Sequence, residues 1–174
     1  MPPAVIRRPR PGELAPHYLG YVDEAGERDP LAALESGLAE TRALVLELGE
    51  TRGGHRYAPG KWSVREIVGH LSDGERIFAY RAFRMARGDA TPLASFDEDA
   101  YVAASGYDRR TLADLLDELT HLRRASLALF RTLDAAAWER TGTASGKSFV
   151  VCAFPWIMVG HENHHRRVLR ERYL

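Results

Sequence analysis

Hydrophobic residues recur at helical spacing in four segments of the chain, and breaks rich in glycine and proline separate these segments. The first segment predicts a helix over 30–49, because Asp29-Pro30 has the form of an N-cap followed by proline at the first helical position. The second segment begins at Ser63-x-x-Glu66, which matches a capping box, and it ends near Gly88. Both predicted helices therefore carry their own start signals.

Two further helices are predicted over 108–138 and 149–172, on either side of a glycine-containing break at 142–146. The chain shows no sustained alternation of polar and apolar residues, so no strand is predicted. Four helices of this length favour an all-α fold, an antiparallel four-helix bundle. The connection at 89–107 is too long for a simple turn, and long ordered loops in compact domains are usually functional.

The N-terminal region differs from the rest of the chain in its proline content. Five of the first sixteen residues are proline, which predicts an extended arm rather than a helix. We therefore divide the chain into a proline-rich arm at 1–29, which packs on or near the bundle, and a bundle domain at 30–174.

Composition narrows the expected location and partners. The 174 residues are 45% hydrophobic and 28% charged, as in a single domain with a packed core. Basic and acidic residues both number 24, whereas a nonspecific nucleic-acid binder normally carries a basic excess, so we expect no nucleic-acid partner. Membrane association is not expected either, since no apolar run approaches the roughly 18 residues of a membrane span. The single cysteine, Cys152, cannot form an intrachain disulfide, so a cytoplasmic location is the default expectation.

The candidate chemistry lies in the sequence Gly160-His-Glu-Asn-His-His165 of the last predicted helix. His161 and His165 lie one turn apart on one face, a spacing at which two imidazoles can share a metal ion. Both project into the apolar stripe of the helix, whereas His164 lies at its edge. Buried imidazoles need a metal or hydrogen-bonding partners, so a pair of satisfied core histidines is the alternative interpretation.

A metal site also needs a ligand from another helix, and His70 of the second predicted helix is the candidate. It lies at the boundary of the apolar stripe, which suits a ligand at the mouth of a bundle and an exposed histidine equally well. Glu66 and Asp73 lie within one turn of His70. We predict that one of them, preferably Asp73, orients the imidazole through a hydrogen bond.

Three stretches of the sequence, in this order, resemble the DinB-like superfamily and its YfiT-type branch. They are Gly60–Leu71 with Asp73 behind it, Arg81–Asp89 with the loop Phe96–Asp99, and Gly160–His165. The resemblance covers roughly 30–174. One departure is Gly74, where a larger residue is expected, and it concerns the width of the pocket rather than the ligands.

The resemblance implies a four-helix bundle, often homodimeric, with a divalent metal ion bound by His70, His161 and His165. The ion would be nickel or zinc, and three histidines leave coordination positions open. Some relatives are thiol S-transferases that use bacillithiol or mycothiol, so the resemblance implies an enzyme that activates a low-molecular-weight thiol for attack on an electrophile. The alternatives are a metal-dependent hydrolase that uses water and a non-catalytic metal-binding module of a stress response.

Three carboxylates are candidate catalytic groups. Glu162 falls within a match to the HExxH motif of metalloproteases, in which the glutamate is the general base, but the third ligand of such enzymes has no counterpart downstream. Asp97 and Glu98 lie in the connection 89–107. We predict that this connection folds back along the bundle and places one of the two near the pocket mouth, as a general base or a substrate contact.

The segment Gly142–Ser148 comes close to a phosphate-binding loop. It is one residue short between the glycines, and no strand is predicted before it. We therefore interpret it as a turn that precedes the last helix.

Overall fold

Four long helices form the body of the protein in a computed structural model, which describes residues 6–174. In chain order the helices are α1 (Leu19–Glu24), α2 (Pro30–Leu48), α3 (Val64–Ala86), α4 (Glu98–Ser105), α5 (Leu112–Phe130), α6 (Ala135–Trp138) and α7 (Ala153–Arg172). The strands β1 (Thr141–Ala144) and β2 (Lys147–Val150) form an antiparallel hairpin. Helices α2, α3, α5 and α7 pack together, which confirms the predicted all-α four-helix bundle.

The order of helix directions is more complex than a simple antiparallel bundle. Ser63 at the start of α3 donates to Asp108 just before α5, so α3 and α5 run parallel. Tyr173 at the end of α7 donates to the carbonyl of Trp62 and accepts through its own carbonyl from Arg52, just after α2. Helix α7 therefore runs antiparallel to α3 and parallel to α2. Because α3 and α5 run parallel, the chain between them must return along the length of the bundle.

The connection between α3 and α5 is ordered by contacts with the hairpin. Leu93 N donates to the Thr143 carbonyl at 2.9 Å, and Ser145 N donates to the Leu93 carbonyl at 3.0 Å. The connection then forms the short helix α4, which the sequence pattern did not predict. These contacts carry the connection back beside α3 and toward the predicted site.

Three predicted helix boundaries are wrong. The third helix begins at Leu112 rather than 108, because residues Tyr107–Arg109 form a separate 3-10 turn and Thr111 is the N-cap. The third helix does not reach residue 138: α5 ends at Phe130, and Asp134 begins the separate helix α6 by accepting from Ala137 N at 2.7 Å. The last helix begins at Ala153 rather than 149, because residues 147–150 pair with β1. All three errors come from short elements that adjoin a longer helix in the sequence.

The N-terminal region packs against the bundle within the described residues; Pro2 and Pro3 lie outside them. Ile6 and Leu14 are buried in the core, and Trp156 of α7 donates to the Arg7 carbonyl at 3.0 Å. Helix α1 follows and packs on α7. Within residues 6–174, no helix combines the length and the apolar character needed to cross a membrane.

Candidate metal centre

His70 of α3 and His161 and His165 of α7 come together between these two helices. One ring nitrogen of each lies within 4.8 Å of a nitrogen of the other two, and all three side chains are buried. His70 Nε2 lies 2.9 Å from His161 Nε2, and the ring centroids are 4.7–4.9 Å apart. We call these three residues the histidine triad. The one-turn spacing in α7 therefore directs both imidazoles toward α3, as the sequence predicted for a shared site.

Aromatic side chains surround the histidine triad. The Trp62 ring lies 4.6 Å from His70 and stacks on His165 at 6.2 Å between centroids. Tyr21 and Phe78 approach His161 edge-on, at 5.4 and 5.8 Å. Their rings limit access of water to the imidazoles and restrict how far each ring can turn.

Two glycines permit the close approach of the elements that build this site. A Cβ at Gly74 of α3 would lie 2.9 Å from His161 Cε1, so a larger residue there would displace the imidazole. A Cβ at Gly160 would lie 1.7 Å from the Tyr21 carbonyl oxygen, so glycine is required where α1 docks on α7. The departure at Gly74 noted in the sequence thus has a physical cause, since His161 occupies the space that a side chain would take.

Burial sets the protonation state of the histidine triad. It lowers the pKa of His70 to about 4, and it holds the pKa values of His161 and His165 well below the usual range, with the neighbouring imidazoles adding to the effect. All three rings are therefore neutral at pH 7, which is the form that binds a metal ion.

The donor set fits a divalent metal ion. The hydrogen-bonding contact that joins His70 to His161 is the only one that the three rings make with any side chain or backbone group in residues 6–174. A pair of satisfied core histidines would instead have other polar partners, as buried polar groups in proteins normally do. Three convergent neutral imidazoles without such partners are a suitable ligand set for a divalent metal ion.

Two cavities reach the histidine triad from different sides. The first, of about 320 Å³, opens on His165, and we call it the His165 cavity. The second, of about 440 Å³, opens on His70 and His161, and we call it the His161 cavity. The walls of the His165 cavity include Tyr57, Lys61, Trp62, Asp99 and Tyr173. The walls of the His161 cavity include Tyr18, Tyr21, Phe78, Phe96, Glu98 and Ser145.

Neither carboxylate predicted to orient His70 does so. Glu66 accepts from the Ser63 backbone in the capping box and pairs with Arg56, so its position is fixed by the start of α3. Asp73 faces the hydroxyl of Tyr107 and lies 3.6 Å from Arg76. Burial raises the pKa of Asp73, and within residues 6–174 the one hydrogen-bonding contact of the His70 ring is with His161 rather than with Asp73. The predicted role of Glu66 and Asp73 beside His70 is therefore wrong.

Glu162 is also wrongly predicted as a catalytic base. Its Oε1 accepts from the Thr41 hydroxyl at 2.6 Å, and its Oε2 pairs with Arg123 at 3.0 Å. Arg123 also pairs with Glu75 of α3, and all three charged side chains are buried. Glu162 follows His161 directly, yet the turn of the helix directs it away from the triad and into the bundle core.

The connection 89–107 brings one of its two candidate carboxylates to the site. Asp97 is the N-cap of α4 and accepts from Ala100 N at 3.0 Å, so it has a structural role and does not line either cavity. Glu98 lines the His161 cavity, and the next residue, Asp99, lines the His165 cavity. The returning connection thus places acidic groups on both sides of the triad.

Several residues that line the cavities come from elements outside the two helices that carry the histidines. Tyr18 and Tyr21 come from the N-terminal segment that was predicted as an arm, and their distance along the chain from α7 gave no local signal. Trp62 lies just before the N-cap Ser63 and outside α3, so no helical spacing relates it to His70, and their ring contact depends on how the chain enters the helix.

Comparisons with known proteins identify the family and the fold. A sequence model of the family described as the DinB superfamily matches residues 33–169. A Bacillus licheniformis protein named "Putative metal-dependent hydrolase" is 33% identical over 132 residues, which cover 71% of this chain and 72% of that protein. The fold is similar to that of YfiT from Bacillus subtilis, described as "a probable metal-dependent hydrolase with an unusual four-helix bundle topology". The TM-score is 0.75 at 20% identity, and the match covers 95% of this chain and 90% of that one.

Proposed function

This chain belongs to the DinB superfamily, as its sequence motifs predicted, and on that basis we propose that it is a divalent-metal-dependent enzyme. His70, His161 and His165 would hold the ion, nickel or zinc, because their neutral nitrogens converge and lack other partners. When bound, the ion would act as a Lewis acid that lowers the pKa of a thiol or of water, so that a nucleophile forms at neutral pH.

The reaction we favour is transfer of a low-molecular-weight thiol to an electrophile. The observation that carries this choice is the presence of two cavities on different sides of the histidine triad. A transferase must bring two organic substrates to one centre, whereas a hydrolase needs space for one substrate and a water molecule. The thiol must come from outside the chain, because Cys152 is buried and burial raises its pKa to about 11.

A residue of the His161 cavity would accept the proton that the thiol loses in the reaction. As the carbon–sulfur bond forms, the bond from carbon to the leaving group breaks and the thiol gives up its proton. Glu98 lines this cavity and its carboxylate is suited to receive that proton, whereas Asp97 is committed to the cap of α4. The aromatic rings of Tyr21 and Phe78 would keep the reacting groups away from bulk water.

Metal-dependent hydrolysis is the second candidate, and the descriptions of the two relatives favour it. In that reaction water would replace the thiol as the nucleophile. The same histidine triad would hold the metal ion, and Glu98 would receive the proton of the water molecule. Water would then reach the metal ion through the His165 cavity, and the His161 cavity would bind the substrate.

Single-turnover assays separate these candidates. Zinc- or nickel-loaded protein is mixed with bacillithiol or mycothiol and 1-chloro-2,4-dinitrobenzene, and separately with p-nitrophenyl acetate without thiol. We expect thiol-dependent release of chloride that is lost in His161→Ala and retained in His121→Ala, a change at an exposed histidine of α5. Thiol-independent ester cleavage with the same mutational pattern would favour the hydrolase. No turnover of either kind by metal-loaded protein would favour the non-catalytic module.

A further inference from the structure

Arg81 of α3 joins three elements behind one wall of the His161 cavity. The residue is only 2% exposed, and its Nη2 donates to the Ala94 carbonyl at 2.9 Å and to Ser145 Oγ at 3.0 Å. Ala94 belongs to the connection between α3 and α5, and Ser145 to the turn between β1 and β2. The guanidinium Cζ also lies 5.7 Å from the ring centroid of Phe96 in the connection. One buried side chain thus binds the connection and the hairpin to α3.

Ser145 adopts a backbone conformation that normally favours glycine. Its φ is 52°, and within residues 6–174 it is the one residue other than glycine with a positive φ. The left-handed region crowds the Cβ of most residues, so glycine or asparagine is expected there. Strained residues of other types persist where the surrounding structure holds them in place. At this position the surrounding contact is the bond from Arg81 to the serine hydroxyl.

The connection has few other contacts in the stretch that leads to α4. No residue of 90–97 is buried, although Leu93 packs partly against the core. In residues 6–174, three hydrogen bonds join 92–96 to other elements. One is the bond from Arg81 to Ala94, and the other two join Leu93 to Thr143 and Ser145 of the hairpin. The position of this stretch therefore depends on the hairpin and on Arg81 more than on apolar packing.

The same stretch leads into one wall of the His161 cavity. Ser95, Phe96 and Glu98 line that cavity together with Ser145. Glu98 is the first residue of α4, four positions after the carbonyl that Arg81 binds. A shift of this stretch would therefore move the Glu98 carboxylate relative to the histidine triad.

We propose that Arg81 and Ser145 are positioning residues that hold Glu98 in the His161 cavity. Arg81 does not line the cavity, and it acts only through the connection and the hairpin. Its planar guanidinium offers several donors in fixed directions, which suits it to bridge acceptors from two elements. The inference rests on the proposed function in taking Glu98 as the group that accepts the proton.

Hydrogen exchange of the metal-free full chain tests the positioning without reference to catalysis. The reporter is the Leu93 amide, which is bonded to the hairpin, and NMR follows its exchange. In Ser145→Gly we expect this amide to exchange about tenfold faster than in wild type, since one charge-assisted hydrogen bond is lost. The free energy of unfolding should stay close to that of wild type, because glycine relieves the left-handed conformation.

Two further variants show whether the bond from Arg81 is the cause. Ser145→Asn is the matched control: asparagine tolerates the same conformation and keeps an acceptor, so exchange at Leu93 should stay within about threefold of wild type. Arg81→Gln removes both contacts and should speed this exchange by about 10- to 100-fold. Arg87→Gln, at an exposed position just after α3, should not change it.

Unchanged exchange in Ser145→Gly would overturn the proposal, as would equal acceleration in Ser145→Gly and Ser145→Asn. Unchanged exchange in a folded Arg81→Gln protein would overturn it too. If Arg81→Gln fails to fold, the two Ser145 variants decide the question alone.

A double-mutant cycle on zinc-loaded protein shows whether the positioning acts through Glu98. Ser145→Gly should lower kcat about tenfold, but less than about twofold in a Glu98→Gln background, because no carboxylate then remains to be placed. Equal losses in the two backgrounds would overturn the proposal. Faster exchange in Ser145→Gly without any turnover by the wild type would contradict the enzyme assignment alone. Turnover with unchanged exchange would contradict this inference alone.

Discussion

Two groups of buried polar side chains lie on different faces of helices α3 and α7. They differ in how many of their hydrogen-bond donors and acceptors have a partner within the chain. His161 and Glu162 are neighbours in α7, yet His161 belongs to the histidine triad and Glu162 to an ion-pair network. In that network Arg123 pairs with both oxygens of Glu75 at 3.0 Å and with Glu162 at 3.0 Å. It also donates to the Leu34 carbonyl at 2.6 Å.

The difference shows which of the two groups is a site. The side chains of the ion-pair network find their partners within the chain, so an added ligand would have to displace existing bonds. In the histidine triad, three neutral nitrogens face one another, and only one contact joins them. Two cavities open on these rings, so a bound metal ion would gain three ligands and displace only that one contact. The predictions below test this division between a structural network and a binding site.

The largest effect on stability should come from breaking the ion-pair network. Arg123→Met leaves the carboxylates of Glu75 and Glu162 buried and unpaired, and we expect a loss of about 3–5 kcal/mol in the free energy of unfolding. Denaturant unfolding of metal-free protein measures it. Arg124→Met, at the exposed neighbouring position, is the matched control and should change the stability by less than about 0.5 kcal/mol. Equal effects of the two substitutions would show that the network is not structural.

The histidine triad should instead make stability depend on pH. The pKa of His70 is about 4 in the folded chain and about 6.5 when unfolded, so the unfolded chain binds a proton that the folded chain does not. The contribution of His70 to the free energy of unfolding of the metal-free protein is therefore fully present above pH 6.5. It is lost as the pH drops toward 4, which lowers the stability by about 3 kcal/mol. Unfolding curves at a series of pH values should show a shallower fall in His70→Gln but an unchanged one in His121→Gln. The same slope in wild type and His70→Gln would contradict a buried neutral His70.

Gly74→Ala should separate stability from metal binding. The new Cβ would lie 2.9 Å from His161 Cε1, so the imidazole must move away from its position in the triad. We expect metal affinity to fall about tenfold, which corresponds to about 1.4 kcal/mol. The free energy of unfolding of the metal-free protein should fall by less than that, since alanine is the better helix former. A metal affinity equal to that of wild type, measured by competition with a chelator, would show that the position of His161 is not critical.

The smallest effect is expected at Asp73. Because Asp73 contacts Tyr107 and Arg76 rather than His70, Asp73→Asn should leave metal affinity unchanged within twofold. The same chelator competition measures it. A loss of tenfold or more would mean that Asp73 does orient His70 once the metal is bound, and that the structural contacts of Asp73 are not its main role.

Local periodicity explains what the sequence could predict. The capping box at Ser63, the helical stripe of α7 and the one-turn spacing of His161 and His165 depend on residues within a few positions of one another. The contacts that were missed join distant positions, such as Arg123 with Glu75 and Arg81 with Ser145. No local pattern encodes such partners, which arise only when the helices pack.

The histidines also show where a motif can mislead. The HExxH match correctly marks two histidines of one face, but its glutamate lies on another face and meets Arg123. The strands β1 and β2 were missed for a related reason, since each has four residues and is held by pairing with the other rather than by its own pattern.

Metal stoichiometry tests the central claim most directly. Chelator-treated protein is titrated with zinc and with nickel, and the bound ion is counted by elemental analysis after gel filtration. We predict about one ion per chain for the wild type and for His164→Ala, and none retained by His161→Ala or His165→Ala. Retention of the ion by folded His161→Ala, or equal losses in His164→Ala and His165→Ala, would contradict a site formed by His70, His161 and His165.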